Sequence, residues 1–304
     1  MTIEPPQTLA TSQVIWRDYY ELTKPNVVAL MILCSAIGMF MAVPGMVAWD
    51  VLILGNLGIA LCAGAAAAVN HLVDRHVDLI MARTHDRPIA QGRISTVGAV
   101  AFVCILAGSG MSILFTQINT LTAWLTIASL VGYAFIYTLF LKRATPQNIV
   151  IGGLAGASPP LLGWTAVTGS VDGHALLLVL IIFAWTPPHF WALAIHRKEE
   201  YAAVEIPMLP VTHGEEFTKL HILLYTLIMF AVTLLPFATG LSSWLYLLGA
   251  VLLGLRFLYW AIVLMIGKNL SAPLQTFRYS IIYLTTLFLI MLIDHYLLPF
   301  KVVV

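Results

Sequence analysis

Nine predominantly apolar stretches, each long enough for a helix to cross a bilayer, take up most of this chain. They run approximately over 26–44, 50–70, 96–115, 120–141, 147–168, 174–196, 219–239, 243–266 and 278–298. A hydrocarbon core about 30 Å thick takes about 20 residues of helix, and inside it each backbone polar group must be satisfied within the protein. The expected fold is an all-α integral membrane protein with nine transmembrane helices. Charged residues make up 10% of the chain, against roughly 25% in a soluble domain. The net charge of +1 offers no surface for nucleic acid, so membrane lipid is the expected partner.

Every Lys and Arg except Arg256 and Lys301 falls on connections of one parity, beside Arg17 and Lys24, around Arg75–Arg93, at Lys142 and Arg143, and between Arg197 and Lys219 and Lys268 and Arg278. The positive-inside rule then predicts a cytoplasmic N-terminus and an outside C-terminus. The expected organisation is a cytoplasmic segment 1–24, one membrane domain 25–299 and a tail 300–304. Long cytoplasmic loops at about 71–95 and 197–218 follow spans 2 and 6, which suggests two four-helix halves plus one helix. No apolar core of a signal peptide precedes the first span, and the simplest address is a prokaryotic cytoplasmic membrane. Cys34, Cys62 and Cys104 sit in apolar runs without metal spacing and read as packing residues. Pro159-Pro160 and Pro187-Pro188 are expected to interrupt spans 5 and 6, and Gly152 with Gly156 forms a GxxxG packing pattern.

The polar chemistry starts at Asn70-His-Leu-Val-Asp74-Arg-His-Val-Asp78. Positions i, i+4 and i+8 lie within about 80° on one helical face, a ladder about 12 Å long. Two carboxylates and an amide oxygen suit a hard cation such as Mg²⁺, which also takes phosphate oxygens and water. His71 and His76 point elsewhere on the helix. Arg83 and Arg87 follow four residues apart, and their guanidinium forks match phosphate. Lys142 and Arg143, at the end of span 4, suit either diphosphate binding or control of topology. Cations and a magnesium ladder at a membrane surface describe a receptor for a lipid diphosphate.

The run Asn70-x3-Asp74-x3-Asp78, continued by Arg83-Thr84 and Arg87, resembles the signature of the intramembrane aromatic prenyltransferases typified by 4-hydroxybenzoate polyprenyltransferase. That resemblance implies catalytic roles for Asn70, Asp74 and Asp78 with Mg²⁺ as cofactor. The relatives' second aspartate pair is missing after span 6. In its place stand Trp185-Thr-Pro-Pro-His189-Phe-Trp191, His196, Glu199-Glu200-Tyr201 and Ile206-Pro-Met-Leu-Pro210. These, with Lys142-Arg143-Ala-Thr-Pro-Gln-Asn148 and Ser158-Pro159-Pro160, resemble the haem O synthase branch of that superfamily.

The branch implies transfer of farnesyl from farnesyl diphosphate to a vinyl group of haem b, with addition of water, on the route to the haems of terminal oxidases. A downstream haem-modifying enzyme or an oxidase assembly factor is then an expected partner. His189, His196 and Trp191 become the expected haem contacts, with an imidazole as iron ligand or porphyrin guide. Glu199, Glu200 or Glu205 offers an oxygen ligand for a second metal, and Glu200, four residues after His196, joins Asn70, Asp74 and Asp78 as an expected metal ligand. Tyr137, Trp164, Phe190 and Trp191 are the candidate aromatic lining. Arg256, charged at membrane depth, either meets a haem propionate or snorkels. Asp294 and His295 read as hydrated and without a role. The competing expectations are a quinone-pathway prenyltransferase and a secondary transporter.

Overall fold

The computed structural model describes residues 16–267 and 269–297. Most of the segment 1–24, Lys268, Lys301 and the tail 300–304 lie outside the described residues. The helices are α1 (Trp16–Leu22), α2 (Pro25–Met41), α3 (Val51–Asp78), α4 (Thr96–Ile118), α5 (Thr120–Ala144), α6 (Asn148–Thr168), α7 (Gly173–His196), α8 (Lys198–Ala203), α9 (Leu209–Thr212), α10 (Glu215–Ala238), α11 (Trp244–Ile266) and α12 (Ala272–Leu297). Among the described residues there is no strand. Eight helices are long and apolar enough to span a membrane, and α1 with α2 makes a ninth candidate bent by 54°. The chain is a multi-pass membrane protein.

Side-chain caps set several of the boundaries. The Ser95, Asn119 and Asp172 side chains accept the backbone N–H groups of Gly98, Thr122 and His174, satisfying donors that the first turns of α4, α5 and α7 leave open. Helix α3 runs two turns beyond the predicted span end at Asn70, so a rigid helix rather than a loop carries the polar ladder. The Pro159-Pro160 pair does break α6, between Gly156 and Pro159. The Pro187-Pro188 pair does not break α7, which continues to His196. Both of its prolines are buried in protein, where neighbouring groups rather than lipid face the freed carbonyls.

Helices α2, α3, α5, α6, α7 and α12 touch one another in turn and close a six-membered ring. Helix α4 lies against α3 outside the ring, and α10 and α11 lie against α7 and α12. Of the spanning windows α7 is the most enclosed, at 72% buried, against 17% for α4 and α5. The second half of α6 crosses α2 so closely that a Cβ on Gly163 would sit 1.9 Å from the Ser35 carbonyl oxygen. Only glycine permits that approach. The GxxxG expectation holds for one of its two residues. Gly152 receives the Tyr137 ring, which a Cβ would strike at 2.2 Å, while Gly156 meets nothing within 4 Å.

Asp294 has a role that the sequence reading did not assign. It is 2% exposed and accepts the backbone N–H groups of Ser243 at 2.7 Å and Tyr246 at 3.0 Å, and the Ser243 hydroxyl. A carboxylate on α12 thus caps the start of α11 and complements its dipole. Asp294→Ala is expected to cost about 2 kcal/mol, since it strands several charge-assisted donors. A lower thermal midpoint in detergent would register the loss, and an unchanged midpoint would mean the cap is dispensable.

Candidate active site

The last turns of α3 present Asn70, Asp74 and Asp78, each no more than 5% exposed. Such burial of carboxylates needs compensating charge, which three distant parts of the chain supply. Asn70 Nδ2 donates to Asp74 Oδ2 at 2.8 Å, and Lys142 Nζ donates to the same oxygen at 2.5 Å. Arg87 Nη1 donates to both Asp78 oxygens at 2.9 and 2.8 Å. Lys24 Nζ donates to Asn70 Oδ1.

Lys24 occupies the bend between α1 and α2 with φ +50°. That left-handed conformation is unusual for a non-glycine residue and often marks a functional position. It starts α2 at Pro25 and aims the ammonium at the ladder. Arg83 is exposed but lies within electrostatic reach of Lys24 and of buried His71. Four cations, Lys24, Arg83, Arg87 and Lys142, therefore face two carboxylates. This excess of positive charge at one end of the bundle suits an anion carrying several charges. Arg143 is exposed and makes no ion pair with the ladder.

Two further devices bring aromatic hydroxyls to the cluster. The second half of α5, Gly132–Leu141, winds as a π-helix, and the Thr138 hydroxyl bonds the Tyr133 carbonyl at 2.8 Å. Such turns concentrate at functional sites. Here the turn stacks Tyr133 on Tyr137 at 5.4 Å, and both lie within electrostatic reach of Asp74. Tyr201 of α8 lies within reach of Arg83, Arg87, Glu200 and Arg197, and burial raises its phenol above the usual value, so the hydroxyl stays protonated. The second long connection thereby meets the first.

The donor set fits a hard cation at the ladder. Its ligands are oxygens, and Asp74 Oδ1 is a buried carboxylate oxygen with no hydrogen-bond partner, an expensive state unless a ligand completes it. Among the described residues no three His, Cys, Asp or Glu side chains come together as a metal cage. Glu200 pairs with Arg197 and keeps Oε2 unpartnered, so the protein alone does not assemble it with Asp74 and Asp78. Such a sparse set suits Mg²⁺ shared with substrate phosphate.

The residues expected at an acceptor are dispersed. His189 is buried between the Trp185 and Phe277 rings, at 4.1 and 4.7 Å, with Nδ1 2.6 Å from Ser280 Oγ. His196 is exposed at the end of α7. Trp191 is not beside His189: it is fully buried and meets His221 and Tyr225 edge-on in the α7–α10 interface. Its placement is that of a packing residue. Phe190 stands edge-on to His189, Trp164 packs near His174, and Tyr137 belongs to the ladder. Arg256 is exposed midway along α11, with its guanidinium 4.7 and 5.2 Å from the Tyr259 and Trp260 rings. Of these arrangements, Tyr133 and the Phe277 and Ser280 partners of His189 had no advance signal beyond composition, and Lys24 only a topological one, because partners 46 and 91 residues apart leave no periodic trace.

Residues 31–290 match the model of the UbiA prenyltransferase family. Among similar curated proteins is the protoheme IX farnesyltransferase of Saccharophagus degradans, 72% identical over 288 residues and covering 95% of each chain. That of Marinobacter nauticus is 68% identical over 94% of each chain. Protoheme IX farnesyltransferase 1 of Pseudomonas fluorescens is 66% identical, over 94% of this chain and 96% of that one. Among solved structures, a digeranylgeranylglyceryl phosphate synthase superposes with a TM-score of 0.77 at 16% identity, covering 92% of this chain and 98% of that chain. A UbiA homologue from Archaeoglobus fulgidus bound to GPP and Mg²⁺ superposes with a TM-score of 0.62 at 14% identity, over 90% of this chain and 99% of that chain.

Proposed function

The chain belongs to the UbiA prenyltransferase family, and from that premise we propose that it transfers farnesyl from farnesyl diphosphate to a vinyl group of haem b, releasing diphosphate. The observation that carries the donor half is the convergence of Lys24, Arg83, Arg87 and Lys142 on Asn70, Asp74 and Asp78. The acceptor half rests on the near full-length identity with protoheme IX farnesyltransferases. The membrane-embedded prenyltransferase is oriented with the ladder and both long connections on the cytoplasmic face of a prokaryotic inner membrane. Its N-terminus lies inside, its C-terminus outside, and α1–α2 count as the first of nine spans, in two four-helix halves and a final helix.

Arg87, Lys142 and Lys24 hold the diphosphate and offset the negative charge that grows on it as its bond to the allylic carbon breaks. Asp74 and Asp78, with Asn70, would hold Mg²⁺, and Glu200 is the candidate from the second connection. When bound, Mg²⁺ supplies Lewis-acid neutralisation of the leaving diphosphate. The haem vinyl group captures the allylic carbon, and water adds at the vinyl carbon left positive and loses a proton to the released diphosphate or to solvent, giving haem O. Tyr133, Tyr137 and Tyr201 wall the ladder and limit early access of water to the cation. His189 and His196 face haem, and Arg143 contributes positive potential at the mouth. Haem O is the substrate of a later oxidation or the cargo of an oxidase assembly step, which names the class of downstream partner.

The test is purified protein with labelled farnesyl diphosphate and either haem b or a small aromatic acid, read by product mass. Haem gaining one farnesyl and one hydroxyl group is the expected product, and prenylation of the aromatic acid alone would replace this reading with the quinone-pathway one. Chelation of divalent cations is expected to stop turnover and Mg²⁺ to restore it. Full turnover in excess chelator would remove the metal from the site.

A further inference from the structure

His189 has a closely specified environment. Both ring faces are covered, by Trp185 at 4.1 Å and an interplanar angle of 18°, and by Phe277 at 4.7 Å and 26°. Trp185 is itself fixed, because its Nε1 donates to the Ser280 carbonyl at 2.8 Å. The ring can neither tilt nor flip without moving α12. The remaining freedom is which nitrogen carries the proton, and the hydrogen bonds decide it.

Ser280 Oγ lies 2.6 Å from His189 Nδ1 and 2.6 Å from the Phe277 carbonyl oxygen. A serine hydroxyl has one proton and a carbonyl has none, so the hydroxyl donates to Phe277 and can only accept from His189. Nδ1 therefore bears the hydrogen in the neutral ring, and Nε2 carries the lone pair. Nε2 has no hydrogen-bond partner among the described residues and is not fully sealed from the surface. A histidine with one nitrogen pinned through N–H to an oxygen and the other bare and open is the arrangement of a metal-binding imidazole.

Resting on the haem reading of the preceding section, we propose that His189 Nε2 is the protein ligand of the haem iron and that Ser280 is the positioning residue that fixes its tautomer. His196 shares that face of α7 at i+7, but about 10 Å along the axis. His196, exposed at the mouth, instead suits the polar edge of the macrocycle. Iron ligation by a helix at the centre of the ring would fix the porphyrin plane, and thus which vinyl group reaches the donor.

The experiment uses the full chain in lipid nanodiscs loaded with ferric haem b, read by Soret absorption, EPR and haem affinity. Wild type is expected to show an imidazole-ligated spectrum, which His189→Gly loses and free imidazole restores. Ser280→Ala is expected to weaken haem affinity by tenfold or more, the usual scale for losing an oxygen behind a metal-binding histidine, and to shift the Soret band. Ser280→Thr, which keeps the hydroxyl, should return both. An unchanged spectrum in His189→Gly overturns the ligand assignment. A Ser280→Ala protein that is merely less heat-stable, with wild-type affinity and spectrum, overturns the positioning role. If wild type prenylates haem while these spectra do not respond, only this proposal fails; if wild type neither retains nor prenylates haem, the functional reading fails with it.

Discussion

Asp74→Asn is expected to lower the rate of prenyl transfer by about a thousandfold, the scale of losing a preorganised charge at a transition state, in a protein that still inserts and retains haem. Asparagine is the informative substitution. Alanine would leave the buried Lys142 ammonium without its carboxylate, and stranding one member of a buried pair costs about 3–5 kcal/mol, so lost activity would be confounded with lost folding. Asparagine keeps an oxygen for Lys142 and the shape of the side chain, but removes the negative charge. It also weakens the oxygen that stands without a partner, Asp74 Oδ1. If the ladder exists only to hold α3 against Lys142 and Arg87, the asparagine variant keeps most of its turnover. Activity above about a tenth of wild type would support that structural reading and sink the metal site. Added Mg²⁺ sharpens the distinction, since a weakened cation site shifts the metal requirement upward whereas a purely structural defect does not.

The spans were legible because apolar length is a direct demand of the bilayer, and the ladder because helical spacing brings Asn70, Asp74 and Asp78 to one face. The end of α3 was not. Apolar patterning stops at Asn70, but the helix continues because Lys142 and Arg87 satisfy the buried carboxylates of its last turns, contacts that reach 68 residues along the chain in the first case. Lys24 carried only a topological signal, since nothing local distinguishes a cation aimed at Asn70 from one at a lipid surface. Trp191 went the other way. His189, two residues earlier, gave the segment a functional look, yet two residues along a helix turn the side chain by about 200°, here from the α12 side to the α10 side. Asp294 was misjudged because a carboxylate near a helix end normally meets water, whereas this one meets the start of another helix. In each case the missing information is a partner distant in sequence.

Arg87→Ala is expected to raise the KM for farnesyl diphosphate by about a hundredfold, corresponding to about 2–3 kcal/mol for a charged hydrogen-bonding group, with haem affinity unchanged. Arg87 approaches Asp78 through one nitrogen, Nη1, which leaves the other guanidinium donors free to meet phosphate. Lysine at this position keeps a point charge but loses the planar fork, so Arg87→Lys should recover only part of the loss. A merely structural salt bridge makes a different forecast, and a charge swap separates the two. In Asp78→Arg combined with Arg87→Asp, a structural pair reforms and activity returns with stability. A binding arginine beside a metal-holding carboxylate cannot be exchanged this way, because the cation would meet a guanidinium and the phosphate a carboxylate. The swapped protein is therefore expected to recover its thermal midpoint and remain inactive. Recovery of both would reduce the Arg87–Asp78 contact to a brace and leave Lys24, Arg83 and Lys142 to bind the diphosphate.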